Sequence, residues 1–252
     1  ELALDEIPSI KKEAHQSFIR CVLLKTAQWA LDTRKTVPSV KDFRAKVIEN
    51  FDQMSQDALV FNDRVNESMR EHGLKKRPQK HCINSSVIGI EDHHAFKKKK
   101  APKLILTSPP YPGVHILYHR WQVNGGRETP APYWIANKLD GSGGSYYNFG
   151  DRRNPELPKY FEQTYAAFSS IAQIADDDTT IVQMIAFSEP EWQLPKYLEV
   201  LEECGFEEIF FDKMANHSDK RIWRSVPNRK WYANQKGKTH SSNEVVLFHR
   251  LA

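Results

Sequence analysis

The apolar run Leu104-Ile105-Leu106-Thr107 is stopped by Ser108 and two consecutive prolines, Pro109 and Pro110. Proline fixes φ and has no amide hydrogen, so no helix or paired strand runs through that point. The turn is stiff, and its carbonyls are expected to point outward without backbone partners. Together with the Ser108 hydroxyl they make an acceptor-rich corner, suited to an amino group with hydrogens to donate. Tyr111 follows with a flat face on which a planar ring can stack. The plain alternative is a rigid proline turn whose tyrosine only packs, and the residues alone leave both open.

The surroundings of this corner set the fold class. Residues 9–70 carry helical periodicity: Phe18, Val22, Leu23, Thr26, Ala27 and Ala30 line one face of a first helix. Ser39 is a natural N-cap for a second helix from Val40 to about Met69, with Asp42 in its first turn. Phe43, Val47, Phe51, Met54, Ala58 and Phe61 share one side of it. From Cys82 the period changes. Residues 86–90 and 103–107 read as strands, 160–175 as a helix, 179–187 as a strand and 194–204 as a helix closed by Gly205. Residues 206–212 and 244–249 read as two further strands, whereas the Gly/Pro/Tyr-rich stretch 111–158 is expected to break any regular element. Alternating strands and helices imply a doubly wound α/β sheet, in which ligands gather at the carboxyl ends of strands. Glu91-Asp92 and the proline corner both follow apolar runs. The division expected is a helical region, 1–80, and an α/β domain, 81–252.

Composition removes several classes. Hydrophobic residues at 40% and charged residues at 27% allow a packed core. No apolar run nears the length that spans a bilayer, and the N-terminus lacks the basic-then-apolar pattern of a secretory signal, so a cytoplasmic protein without membrane partners is expected. The chain begins at Glu1, as expected of a trimmed chain or a fragment. Cys21, Cys82 and Cys204 are far apart and show no C-x-x-C pairing, and the adjacent His93-His94 has no H-E-x-x-H context. No metal site or disulfide framework is expected. The net charge of +4 decides little. Its clusters at Lys75-Lys76-Arg77, Lys97 to Lys100, Arg152-Arg153 and Arg229-Lys230 can neutralise phosphates or simply face water.

Thr107-Ser108-Pro109-Pro110-Tyr111 resembles motif IV of the amino-methylating DNA methyltransferases, the (D/N/S)-P-P-(Y/F/W) signature. Serine in the leading position is closer to the cytosine-N4 branch than to the adenine-N6 branch. Ile88-Gly89-Ile90-Glu91-Asp92 resembles the family's motif III, whose strand-end acid touches the adenine ring of S-adenosylmethionine. The segments at 179–187, Leu194-Pro195-Lys196-Tyr197 and Gly205-Phe206 are similar to the family's fifth strand, following helix and sixth strand, and Glu244-Val245-Val246-Leu247-Phe248 to its seventh. The resemblance covers roughly residues 82–250 and implies a partly represented Rossmann-like methyltransferase sheet, its final strand antiparallel, after an N-terminal helical region.

The resemblance implies a site-specific DNA methyltransferase of the restriction-modification kind, with S-adenosylmethionine as cofactor and double-stranded DNA as partner. The target base is flipped from the duplex. Ser108 Oγ and the Pro109 carbonyl accept the two amino hydrogens, Pro110 packs against the base and Tyr111 stacks on it. The amino nitrogen then attacks the sulfonium methyl directly, so alignment is the main catalytic term. Glu91, Asp92 and Thr107 are the expected cofactor contacts, and Arg127, Arg152, Arg153, Arg229 and Lys230 the expected DNA contacts. The family's F-x-G-x-G-type cofactor loop is not found, and Gly141-Ser142-Gly143-Gly144 follows no apolar strand. An upstream segment or a second polypeptide is therefore expected to supply it. Two other readings stay open: a non-catalytic nucleic-acid-binding subunit of a methyltransferase or defence complex, and methylation of RNA or a protein amide.

Overall fold

The structure is a computed structural model that describes residues 2–32, 36–83, 85–97, 100–112, 121–123, 127–129, 131–136, 154–225 and 243–252. In chain order its elements are α1 (Leu2–Asp5), α2 (Glu13–Leu31), α3 (Val40–Glu71), β1 (Leu104–Thr107), β2 (Trp121–Val123), β3 (Arg127–Thr129) and α4 (Ala131–Ala136). They continue with α5 (Pro158–Ala172), β4 (Thr180–Ile185), α6 (Pro190–Glu203), β5 (Phe206–Glu208), β6 (Ile222–Ser225) and β7 (Asn243–Leu251). The chain divides into two compact units, one of Glu1–Lys80 with Leu117–Tyr146, the other of His81–Ile116 with Tyr147–Ala252. The expected division into 1–80 and 81–252 is thus corrected: residues 117–146 go with the helical region. Among the described residues no helix is long and apolar enough to cross a membrane.

In the first unit α2 and α3 pack together because each carries an apolar stripe. Ser39 caps α3, its Oγ accepting from the Asp42 amide at 3.2 Å, which satisfies one of the amides a helix start leaves unpaired. At the helix–helix contact the buried Asn50 donates to Thr26 Oγ1 at 2.9 Å, and Thr26 donates to the Val22 carbonyl at 2.9 Å. Two polar groups are thereby buried without losing their hydrogen bonds. Ile7, Leu23, Ala27, Trp121, Ala131 and Ile135 form this unit's core. Arg20 reaches the Ile135 carbonyl at 2.8 Å, near the end of α4.

The second unit is a mixed α/β sheet. β1 and β4 are parallel, with Leu104 opposite Thr180 and Thr107 opposite Gln183. β7 lies antiparallel on the other side of β4, pairing Ile181 with His249 and Ile185 with Val245. The far edge of β7 carries β5, which pairs Phe206 with Leu251, and β6, which pairs Ile222 with Val246. Alternation along the strands puts Ile105, Ile181, Ile185, Val245 and Leu247 on one face. They join Phe168, Tyr197 and Leu201 of α5 and α6 in the main core. On the other face Leu104 and Leu106 are 59% and 75% exposed.

Three sequence expectations need correcting. Residues 86–90 are not a strand: Gly89 takes a left-handed φ of +84°, and a 3-10 turn follows at Ile90–Asp92. The Gly89 amide donates to Ser170 Oγ of α5 at 2.9 Å, so this segment packs on a helix and not on the sheet. The stretch 111–158 does contain regular elements, namely the hairpin of β2 with β3 and the short helix α4. The strand expected over 206–212 stops at Glu208, and β6 takes the other part of the β7 edge. Gly205 ends α6 with a φ of +85°, as its place in the sequence suggests.

Under the helices, Tyr197 donates its hydroxyl to Gln183 Oε1, and Gln183 Nε2 lies 3.2 Å from His249 Nδ1. Burial, with the charge of Arg221 adding to it, holds the His249 imidazole at a pKa of about 4. The neutral ring is therefore the form the fold accepts, and it can take the Gln183 amide hydrogen. The folded pKa lies below the value of about 6.5 in an unfolded chain, so stability from this group is complete above that pH and falls as the pH drops toward 4. Urea unfolding at a series of pH values should show a loss of up to about 3 kcal/mol across this window. His249→Gln should flatten the slope, and parallel slopes would remove His249 as its cause.

Candidate active site at the proline corner

The proline corner follows β1 directly, at the rim where parallel β1 and β4 both present their carboxyl ends. Ser108 is exposed, and its Oγ donates to the Met184 carbonyl on β4 at 3.0 Å. Its hydroxyl oxygen keeps acceptor capacity at the surface. Pro109 is buried and Pro110 half-buried. The Pro110 carbonyl accepts from the Tyr160 hydroxyl at 2.9 Å. Burial pushes the Tyr160 phenol far above its usual range, so it stays protonated as a donor. The expectation of outward, unpaired carbonyls is thus corrected at Pro110, which is tied to the start of α5.

Tyr111 differs more sharply from its expected role. Only 6% of it is exposed, and it belongs to the main core. Its hydroxyl donates to Glu244 Oε1 at 2.7 Å. Glu244 is 2% exposed, and its second oxygen takes Nε of Arg224 at 2.7 Å and a terminal guanidinium nitrogen at 2.6 Å. A carboxylate this deep is tolerable only when paired and hydrogen-bonded, and here a phenol and a guanidinium do both. Tyr111 therefore anchors the corner to β7, and in this structure its ring is packed, not presented for stacking.

Thr107, half-buried, is the last residue of β1 and stands beside Gln183. Glu91 and Asp92 are elsewhere. Their 3-10 turn is joined through Gly89 to Ser170, near the end of α5, whereas the proline corner is joined to Tyr160, near its start. Ten residues of helix separate these anchors, roughly 15 Å. The acids therefore do not adjoin Ser108, and the expectation that they end a strand is corrected: they lie in a 3-10 turn. Glu91 lines a separate cavity of about 270 Å³ with Phe96, Lys97, Lys100 and Gln173. Its Oε2 is buried without a hydrogen-bond partner among the described residues.

A larger cleft, about 950 Å³, is lined by Pro155, Pro158, Phe161, Glu189, Trp192 and Lys196 among others. It lies where α5 and α6 begin, and Phe161 is next to the Tyr160 that holds Pro110. The Phe161 and Trp192 rings meet edge to face at 6.2 Å, and Trp192 Nε1 donates to Glu189 at 3.1 Å.

Of the expected DNA contacts, Arg127 is on β3 of the first unit, where only its backbone is described. Arg152, Arg153, Arg229 and Lys230 lie outside the described residues, as does the run Gly141 to Gly144. Among the described residues no group of three or more His, Cys, Asp or Glu side chains is arranged to hold a metal ion. Reading the sequence missed Tyr160, Arg224 and Glu244. The signal for Glu244 was present: it is the one charged residue heading the apolar run Val245-Val246-Leu247-Phe248.

Removing the Tyr111 hydroxyl leaves a buried carboxylate oxygen short of a donor. Tyr111→Phe should therefore cost about 1–3 kcal/mol in urea unfolding. An unchanged midpoint would mean that the bond to Glu244 contributes nothing net.

No family model, no curated protein and no solved structure matches the chain.

Proposed function

We propose that the second unit is the target-base half of a DNA methyltransferase, which moves a methyl group from S-adenosylmethionine to an exocyclic base amino group, cytosine N4 being favoured over adenine N6. One observation carries this reading. The sequence Thr107-Ser108-Pro109-Pro110-Tyr111 stands at the carboxyl end of a strand in a sheet of parallel β1 and β4 with an antiparallel last strand, and its serine hydroxyl is at the surface. Ligands of open α/β sheets bind at such strand ends.

In this reading Ser108 Oγ, which now donates to Met184, accepts a hydrogen from the amino group of an extruded base. Tyr160 and the Tyr111–Glu244–Arg224 linkage hold the corner that positions it. A preset acceptor of this kind acts through alignment and electrostatic placement. Thr107 adjoins Ser108, whereas Glu91 and Asp92, the expected contacts of the adenine ring, are joined to the far end of α5. The cofactor loop, which the sequence lacks, is assigned to an upstream segment or a second polypeptide. The packed state of Tyr111 favours a second reading, a nucleic-acid-binding subunit without catalysis.

The discriminating measurement is transfer of a labelled methyl group to DNA, followed by nucleoside identification, with and without candidate upstream polypeptides. Ser108→Ala should lower turnover by about a hundredfold or more while DNA binding stays near that of the parent. Undiminished turnover refutes the role of Ser108, and DNA binding without transfer in every combination selects the binding subunit.

A further inference from the structure

α3 is much longer than its neighbour, 32 residues against 19 in α2. Its inner part is occupied: Asn50 bonds to Thr26, and the Phe51 ring meets Phe18 at 5.7 Å. The apolar stripe nevertheless continues outward through Met54, Ala58, Phe61 and Val65, at steps of four, three and four. That is the spacing of a helix–helix seam. Ala58 is exposed and Phe61 is 70% exposed, while Met54 and Val65 are half-buried, so the seam is open at its centre.

The charges beside the seam indicate what covers it. Asp57 and Arg64, seven residues apart, border the same side of the stripe. When two copies of α3 run antiparallel with Ala58 of one beside Phe61 of the other, Asp57 faces Arg64 of the second copy. The two-fold axis repeats the pair with the roles exchanged. A parallel alignment would set Asp57 against Asn62 and form neither pair. Both charges are free to exchange partners: Asp57 accepts from Gln53 at 2.9 Å, and Arg64 contacts Glu67 of its own helix at 2.9 Å, all on an exposed surface.

We propose that the outer half of α3, residues 54–65, is a self-association surface that takes the same segment of a second copy of this chain, antiparallel, with Asp57 and Arg64 pairing across the seam.

Sedimentation velocity of the full chain over a range of concentrations should show a monomer–dimer equilibrium. Phe61→Asp should yield monomer with an unchanged helical circular-dichroism signal. Asp57→Arg and Arg64→Asp should each weaken the dimer by about tenfold, and the two together should restore it. A monomer at every concentration overturns the proposal. So does a dimer that survives Phe61→Asp, or single charge reversals that leave association unchanged.

Discussion

Two parallel strands cannot be joined by a tight turn, and the pairing of β1 with β4 therefore governs the second unit. The chain leaves β1 at Thr107 and must travel back to the opposite edge before Thr180 can begin β4 in register with Leu104. Helix α5 makes that return, and its apolar side covers the sheet face built from Ile105, Ile181 and Ile185. Both strands then end on the same rim. That is why a hydroxyl at position 108 finds a carbonyl at position 184, 76 residues later.

The rim is secured from three directions, and each tie reaches a different element. Ser108 bonds to β4, Pro110 to the first turns of α5, and Tyr111 through Glu244 to β7. The stiffness of the corner thus has two sources. The prolines restrict the backbone locally, and long-range hydrogen bonds fix where that restricted backbone points. Of the motif's side chains, the serine is exposed with its hydroxyl bonded to β4, while the tyrosine is drawn inward by a buried carboxylate that is also held by Arg224.

The parts of this arrangement that were legible in the sequence depend on neighbours close along the chain. Ser39 and Asp42 mark the start of α3 because a cap and its amide are three residues apart. The apolar alternation of β4 and β7, and the glycine after α6, are equally local. Where reading failed, the deciding contact was distant or the run too short. Val87, Ile88 and Ile90 suit a strand as well as a packed turn, and the choice falls to Gly89 and its bond with Ser170, 81 residues away. β6, Ile222-Trp223-Arg224-Ser225, lacks a strand-like pattern and is ordered by the edge of β7. In the candidate site the hydroxyl and the proline turn could be named in advance. The burial of Tyr111 could not, since it depends on Glu244, 133 positions onward.

The first unit is assembled from two separated stretches, Glu1–Lys80 and Leu117–Tyr146. During synthesis α2 and α3 leave the ribosome well before Trp121, Ala131 and Ile135, which complete their core. Until those residues emerge, Leu23 and Ala27 have part of their apolar surface unsheltered, a condition that favours chaperone binding over early closure. A chain cut after Lys80 would make that interim condition permanent. Intact helices could then still yield a sticky, poorly behaved fragment, and a sound truncation has to retain the later stretch or supply it on a second chain.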